Sequence, residues 1–296
     1  MTRASAPVGA GQAAPASRIR DFGRFLASLP LSGLIGLAIF VFWLLTALFG
    51  PMFAPYETGA IVAPDVFNPF STQNLLGSDY LGRDVLSRLL HGARYTVGLA
   101  FAAALLASAT GTALALIAAV TGRWIDEVMS RLMDALLAIP SKIFALVMVA
   151  ALGSSVALLL LIVAITYVPG AYRIARSLAV NLNQMEYVQV AVARGEGRLY
   201  ISCVEIIPNM IHPMLADFGM RFVFAVLLLS GLSFLGLGVQ PPDADLGSLV
   251  RENISGIGEG APALIMPALA IATLTVGVNL FIDSLSVHGR RITGEV

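Results

Sequence analysis

A polar island interrupts an otherwise apolar chain between Arg173 and Asn209, and it reads RIARSLAVNLNQMEYVQVAVARGEGRLYISCVEIIPN. The island carries too much charge to remain inside lipid, and its apolar residues recur too regularly for a slack linker. An ordered segment of about 30 residues held on one face of a membrane is typically presented to a partner. The apolar runs around the polar island therefore decide which face of the membrane it occupies.

The composition is that of an integral membrane protein. Of the 296 residues, 57% are hydrophobic and 12% are charged, and the mean hydropathy is +0.84, whereas soluble domains carry about 25% charged residues. The net charge of zero gives no global field that would favour nucleic acid. The single cysteine, Cys203, excludes an intrachain disulfide and a cysteine-based metal cluster, and the three histidines lack a ligand-like spacing.

Six apolar runs approach or exceed the length of about 20 residues that a membrane helix needs. We therefore expect an all-α integral membrane protein with six transmembrane helices, at 31–52, 97–120, 132–152, 156–172, 216–237 and 263–285. The first run is longer than the 7–15 apolar residues of a signal peptide, which favours an uncleaved span. Small residues at helical spacing in the second run predict close helix packing. They are Ala100, Ala104, Ser108, Gly111, Ala115 and Ala118.

The arginines predict the orientation, because loops on the cytoplasmic side are enriched in positive charge. An inside N-terminus leaves four arginines in the outside segments: Arg83, Arg88, Arg94 and Arg251. The inside segments then carry twelve: Arg3, Arg18, Arg20, Arg24, Arg123, Arg131, Arg173, Arg176, Arg194, Arg198, Arg290 and Arg291. We therefore expect cytoplasmic termini and a cytoplasmic polar island.

This topology divides the chain into five parts. They are a disordered cytoplasmic tail and lead-in at 1–30, the first span at 31–52, a periplasmic loop at 53–95, a five-helix core at 96–287 that contains the loop 173–209, and a cytoplasmic tail at 288–296.

The sequence lacks motifs with which this chain could drive transport by itself. The only lysine, Lys142, follows no glycine-rich loop, so a phosphate-binding loop of the G-x-x-x-x-G-K-[ST] kind is absent. Asp134 and Asp283 lie near the predicted cytoplasmic ends of spans, whereas a proton relay needs ionisable groups near mid-membrane. We therefore expect that the chain is not an enzyme and that any energy source lies on another chain.

The polar island itself predicts a helix, a glycine turn and a second helix outside the bilayer. The segment Ala179–Leu199 has no proline, and Gly195 and Gly197 would end or bend a helix there. The apolar pattern then resumes as far as Pro208, which we expect to mark the turn back toward the membrane. From these residues alone, docking to a partner and a membrane-surface hairpin without a partner remain equally supported.

The second half of the polar island resembles the EAA loop of binding-protein-dependent ABC importer permeases. That loop reads roughly E-A-A, three residues, G, and then an apolar stretch that closes on a proline. Gln189-Val190-Ala191 stands where E-A-A is expected, Gly195 is the glycine and Pro208 is the closing proline. The sequence departs from the pattern at Gln189 and Val190, and also at Glu205, where a basic residue or histidine is common.

Two flanking stretches resemble the peptide and nickel branch of the same family. Leu76–Arg94, LGSDYLGRDVLSRLLHGAR, is similar to the segment before the second span, and Leu232–Leu249, LSFLGLGVQPPDADLGSL, is similar to the exit of the fifth span. The residues alone favour a structured lead-in to the second span for the first stretch, with Asp84 and Arg88 as an exposed i,i+4 pair. They favour a rigid external turn at Pro241-Pro242-Asp243 in the second stretch.

The resemblance implies a C-type permease subunit of an ATP-driven importer that moves di- or oligopeptides across the bacterial inner membrane. It implies a homologous second permease, two ATPase subunits that bind ATP and Mg²⁺, and a periplasmic or lipid-anchored solute-binding protein, with no cofactor on this chain. It also implies an ATPase-coupling loop made of Glu186, Gln189, Ala191, Gly195, Glu205 and Pro208.

Other functions remain open at this point. The solute could be nickel or another small molecule such as an opine, because no aromatic cage or charge cluster in the sequence points to one ligand. The alternatives of another class are an ion-coupled secondary transporter with an ordinary cytoplasmic loop, and a membrane scaffold that transports nothing. A secondary transporter typically shows an inverted repeat, and none is visible in the sequence.

Overall fold

The computed structural model describes residues 29–259 and 261–293. The predicted disordered tail therefore lies, up to residue 28, outside the described residues. Within the described ranges the chain forms helices joined by turns and loops, with two isolated β-bridges and no sheet. This architecture confirms the predicted all-α membrane fold.

The described part of the chain contains nine helices. They are α1 (Leu31–Phe49), α2 (Val85–Thr121), α3 (Arg123–Leu137), α4 (Ser141–Leu152), α5 (Val156–Asn183), α6 (Glu186–Ala193), α7 (Arg198–Phe234), α8 (Leu246–Glu252) and α9 (Pro262–Thr293). Short 3₁₀ turns follow α1 at Gly50–Phe53 and α8 at Ile254–Glu259, and α7 contains a π-helical segment at Ile201–Ile206. Helix α9 thus continues into the segment that was predicted as a tail at 288–296.

Five helices, α1, α2, α5, α7 and α9, are long and apolar enough to cross a membrane. The predicted span at 132–152 is a broken pair instead, in which α3 and α4 meet at an angle of 84°. The helix breaks at Pro140, which has a non-helical ψ of 126° and lacks the N–H that would bond back into α3. If the pair counts as one broken span, the protein has the six crossings that its sequence predicts.

Helices α2, α5, α7 and α9 are longer than the apolar runs that predicted them. Helix α2 begins within the predicted loop 53–95, because the Asp84 carboxylate accepts the Ser87 N–H at 2.8 Å and caps the helix. Helix α5 continues to Asn183, and α7 begins at Arg198. Both ends of the polar island are therefore extensions of membrane helices. Hydropathy did not reveal these extensions because they carry charged residues.

The predicted glycine turn and second helix are present, but the helix expected from Ala179 to that turn is divided in two. The chain breaks at Gln184 and Met185, forms the separate helix α6, and turns again before Arg198. The predicted turn at Pro208 is also wrong, because this proline lies inside α7 directly after the π-helical segment. The wider π turn relieves the crowding between a proline ring and the carbonyl four residues earlier, so the helix can continue.

Two apolar clusters hold the bundle together. The larger cluster joins α1, α2, α4, α5, α7 and α9 through residues such as Val163, Val226 and Leu274. The predicted small-residue stripe of α2 is buried along its whole length and lets helices approach closely. A Cβ atom on Gly111, for example, would lie 2.5 Å from the Cβ atom of Ala171 on α5.

The two ends of the bundle are built differently, and we name them for what they carry. The loop end comprises residues 54–84 before α2 together with residues 235–261 around α8. The α6 end comprises α3, the second half of α5, helix α6 and the first half of α7. The smaller apolar cluster lies at the α6 end.

Candidate functional site

Helix α6 is a short helix anchored to the bundle by two small apolar side chains. Val188 and Ala191 are fully buried, and they pack in the smaller cluster with Tyr172 of α5 and Ile206 of α7. Glu186 lies in the first turn, where a negative charge favours the positive end of the helix dipole. The helix is therefore fixed in position although it has only eight residues.

The outer face of α6 exposes apolar side chains. Tyr187, Val190 and Val192 are 39%, 57% and 57% exposed, and Met185 just before the helix is 48% exposed. Leu199, at the start of α7, is 81% exposed. A cluster of exposed apolar side chains on a helix fixed from behind is typical of a surface that a partner covers.

The turn after α6 confirms the predicted role of Gly195 in ending the helix. Gly195 has a φ of +82°, a left-handed conformation that glycine adopts without steric penalty. Its N–H donates to the Val192 carbonyl at 2.9 Å, and the Glu196 N–H donates to the Ala191 carbonyl at 3.1 Å. These two bonds form a Schellman motif. A Cβ atom at Gly195 would meet no atom within 4 Å, so the requirement for glycine is conformational rather than steric.

Of the predicted coupling-loop residues, Gln189 is exposed, and its Nε2 donates to the Gln184 carbonyl at 3.4 Å across the break between α5 and α6. Glu205 lies on the π-helical segment of α7, where its carboxylate is 3.8 Å from Arg194 at the end of α6. Its carbonyl also accepts the Asn209 side chain at 2.7 Å. The structure thus places Glu205 across the turn from α6, whereas Pro208 lies farther along α7 and makes no turn.

A polar contact between α3 and α5 was missed at the level of sequence. Both carboxylate oxygens of Asp126 accept hydrogen bonds from Arg176, and Ser130 Oγ lies 3.0 Å from the Tyr172 hydroxyl. Asp134 accepts a further bond from an arginine of α5, Arg173, at 2.9 Å. The three α3 residues are spaced i, i+4 and i+8, a signal of one polar helix face that could have been found. These contacts tie α3 to the half of α5 that leads into α6.

The loop end contains a buried charge network. Arg83 donates from Nε to Asp79 at 2.7 Å and from Nη2 to Glu252 at 2.9 Å. Arg88 donates from Nη1 to the same two carboxylates, at 2.8 and 2.7 Å, and its side chain is 2% exposed. The predicted exposed pair between Asp84 and Arg88 is therefore wrong, because Asp84 caps α2 and the guanidinium of Arg88 turns toward Asp79 and Glu252.

A second polar cluster links α8 to the membrane helices. Asp245 caps α8 by accepting the Ser248 N–H at 2.7 Å, and it also accepts the Ser233 hydroxyl. Burial raises the pKa of the Asp245 carboxyl, although the hydrogen bonds from Ser233 and Ser248 act in the opposite direction. The Leu246 N–H donates to the Thr96 hydroxyl of α2 at 2.9 Å. The stretch Leu232–Leu249 is therefore locked onto α2, and the predicted turn at 241–243 is present.

Comparison with known proteins shows the family. The family model described as the binding-protein-dependent transport system inner membrane component matches residues 111–288. The dipeptide transport system permease protein DppC of Haemophilus influenzae is 32% identical over 92% of this chain and 94% of its own length.

Two further relatives match over most of their length. The protein of the same name from Alkalihalophilus pseudofirmus is 32% identical over 85% of this chain and 83% of its own. The probable D,D-dipeptide transport system permease protein DdpC of Escherichia coli is 31% identical over 83% of each chain. Because the family model covers more than half of the sequence and these matches run almost end to end, the chain belongs to the family of binding-protein-dependent transport system inner membrane components and is a multi-pass inner membrane permease.

Proposed function

We propose that this chain is one of two homologous permease subunits in an ATP-driven importer of di- or oligopeptides. Two ATPase subunits bind ATP and Mg²⁺ at the α6 end, and a solute-binding protein docks at the loop end. The α6 end is cytoplasmic, as are both termini, and the loop end is periplasmic. The family assignment and the names of the dipeptide permeases among the relatives support this proposal.

The observation that carries the proposal is the construction of α6. Val188 and Ala191 hold the helix from behind, while Tyr187, Val190 and Val192 leave an apolar face for a groove on an ATPase. The exposed polar side chains of Glu186 and Gln189 lie on the same short helix and are available to the rim of that groove. An apolar centre with a polar rim is the usual composition of a protein interface.

The contacts of α6 also explain how movement would pass into the bundle. A shift of α6 carries the second half of α5 with it, because Gln189 and the smaller apolar cluster join the two helices. It carries α3 as well, through Asp126 and Arg176. ATP binding would then shift the balance between two arrangements of the bundle, one open to each side of the membrane. The work done by this chain is mechanical.

Co-purification followed by reconstitution tests this function. The full-length chain, tagged at one terminus and expressed in its own host, is expected to retain two ATPase subunits and a second permease. The complex in proteoliposomes, supplied with its binding protein, is expected to accumulate a labelled dipeptide only when ATP is present. Uphill uptake by this chain alone that collapses with a protonophore would establish a secondary transporter instead. Uptake of ⁶³Ni²⁺ but not of dipeptides would overturn the proposed solute class.

A further inference from the structure

Helix α7 contains a buried ion pair near its midpoint. Arg221 donates from Nε to Asp217 Oδ2 at 2.6 Å and from Nη2 to Asp217 Oδ1 at 2.8 Å. Both side chains are 7% exposed. A charged pair in the middle of a membrane helix is expensive and typically functional, and the proposed coupling at α6 does not use it.

The pair reaches across to one residue of α5. Arg221 Nη1 donates to the Tyr167 carbonyl at 3.1 Å. The Tyr167 hydroxyl donates back to the Phe224 carbonyl of α7 at 2.9 Å, and the two rings stack with centroids 6.2 Å apart. Helix α7 therefore forms hydrogen bonds with both the backbone and the side chain of Tyr167.

Tyr167 lies two residues before a proline that weakens α5. Pro169 lies inside this helix, where its ring removes one backbone hydrogen bond and favours a bend. Gly170 follows it, and a Cβ atom there would lie 2.9 Å from Arg221 Nη1, so the small residue gives the guanidinium access to the helix. The weak point and the buried pair thus face each other.

Polar contacts link the two halves of α5 to different helices. The half after Pro169 is fixed to α3 by Arg176 and Asp126, and it contacts α2 where Ala171 meets Gly111. The half before Pro169 is hydrogen-bonded to α7 through Tyr167. A displacement of α6 moves the second half of α5 directly. Without a restraint at Pro169, α5 would bend there and its first half would not move.

We propose that Arg221 is a positioning residue that restrains bending of α5 at Pro169, so that movement of α6 reaches the half of α5 before Pro169. This inference rests on the proposed function, because it needs an ATP-driven push at α6. Asp217 accepts hydrogen bonds from two of the three guanidinium nitrogens and thereby orients the third, Nη1, toward the Tyr167 carbonyl. The planar guanidinium holds the carboxylate with two nitrogens and the carbonyl with the third in one fixed geometry, which the single nitrogen of a lysine does not reproduce.

The test first removes the pair of Asp217 and Arg221 and then removes Pro169. The double variant Asp217→Leu with Arg221→Met eliminates both charges together, so no unpaired ion remains buried. The purified complex in proteoliposomes is assayed for labelled dipeptide taken up per ATP hydrolysed. We expect this ratio to fall by about fivefold or more, which is the lower end of a typical coupling between sites. Adding Pro169→Ala, which restores the backbone hydrogen bond that the proline removes, is expected to restore the ratio, since an uninterrupted helix resists bending at this point without Arg221.

A matched control removes an exposed pair of the same spacing. Glu127 and Arg131 on α3 lie 3.7 Å apart and are largely exposed, and Glu127→Gln with Arg131→Gln is expected to leave the ratio unchanged. The inference would be overturned if Asp217→Leu with Arg221→Met took up as much dipeptide per ATP as wild type, or if Pro169→Ala did not reverse the fall. A merely structural role for the pair predicts that second result.

One further variant covers the case in which the double variant does not assemble. Arg221→Lys keeps the positive charge but loses the bidentate bond to Asp217 that fixes the contact with the Tyr167 carbonyl, so the same fall and the same rescue are expected. An unchanged ratio in Arg221→Lys would overturn the inference. If the wild-type complex shows no ATP-coupled uptake, the proposed function fails before either variant is assayed, and the two failures are thus distinguishable.

Discussion

The loop end and the α6 end of this bundle use charge in opposite ways. At the loop end, Asp79, Arg83 and Glu252 are buried together with Arg88 from the first turns of α2, and the two arginines share the two carboxylates. At the α6 end, charged pairs such as Arg194 with Glu205 lie toward solvent, and helix α6 is held by small apolar side chains and a glycine cap. A buried network is costly to break, whereas an exposed pair contributes about 0–1 kcal/mol.

This difference matches the task that each end has in the proposed importer. A surface that receives a binding protein benefits from fixed geometry, and the buried network locks residues 76–94 against α8. A surface that transmits movement must shift as a unit without unfolding. The Schellman turn and the apolar anchors of α6 allow this because they connect α6 to α5 and α7 without bonding it to the loop end. Four predictions test this difference between the two ends, from the largest expected effect to the smallest.

Removing one cation from the buried network should have the largest effect. Arg88→Met leaves Asp79 and Glu252 buried with one arginine fewer, and the free energy of unfolding should fall by about 3–5 kcal/mol, as for other broken buried pairs. Thermal unfolding of the detergent-purified protein measures the loss. The control Arg131→Gln, on the exposed face of α3, should change stability by less than about 0.5 kcal/mol. A loss of under about 1 kcal/mol for Arg88→Met would show that the loop end is not stiffened by its buried charges.

Two valines on α6 separate anchoring from docking. Val188→Asp places a carboxylate among fully buried apolar side chains, and it should destabilise the protein by more than about 2 kcal/mol. Val190→Asp, two residues away and 57% exposed, should leave the unfolding temperature unchanged. It should nevertheless weaken ATPase binding by about tenfold, the loss expected of a contributing interface residue. Unfolding scans and titration of the ATPase subunits measure the two effects. If Val190→Asp and wild type bound the ATPase subunits with equal affinity, the outer face of α6 would not be part of the interface.

Gly195 provides a test of backbone geometry alone, since a side chain there has open space. Gly195→Leu must adopt a positive φ at a penalty of about 1–2 kcal/mol, and it should tilt α6 and reduce transport while membrane insertion stays intact. Gly195→Asn is the matched control, because asparagine tolerates the left-handed conformation. ATP-dependent uptake should thus fall in the leucine variant and remain close to wild type in the asparagine variant. Normal uptake in Gly195→Leu would show that the angle of this turn does not matter for coupling.

The accuracy of the sequence predictions follows the range of the interactions involved. Gly195 was correctly predicted to end its helix because a glycine turn is a local property of the chain. The break at Pro140 and the continuation of α7 through Pro208 were missed, since the effect of a proline depends on the backbone around it.

Long-range partners were the least accessible to sequence reasoning. Asp84 and Arg88 were paired by spacing, but Asp79 and the distant Glu252 are the partners of Arg88 in the folded chain. Neither the bidentate bond from Arg221 to Asp217 nor its contact with Tyr167 was predicted. A sequence shows which charges the membrane would penalise, but it shows only poorly which of them meet.

The smallest effect is expected for the exposed pair that closes the turn after α6. The Arg194 guanidinium and the Glu205 carboxylate are 3.8 Å apart, and the arginine side chain is 56% exposed. Glu205→Gln should therefore lower the free energy of unfolding by no more than about 1 kcal/mol, and the difference should shrink in high salt, where exposed charges are screened. Unfolding scans of this variant and of wild type at low and high salt measure both quantities. A loss of several kcal/mol that salt does not reduce would mean that α6 is stiffened by charge, as the loop end is, and the contrast between the two ends would not hold.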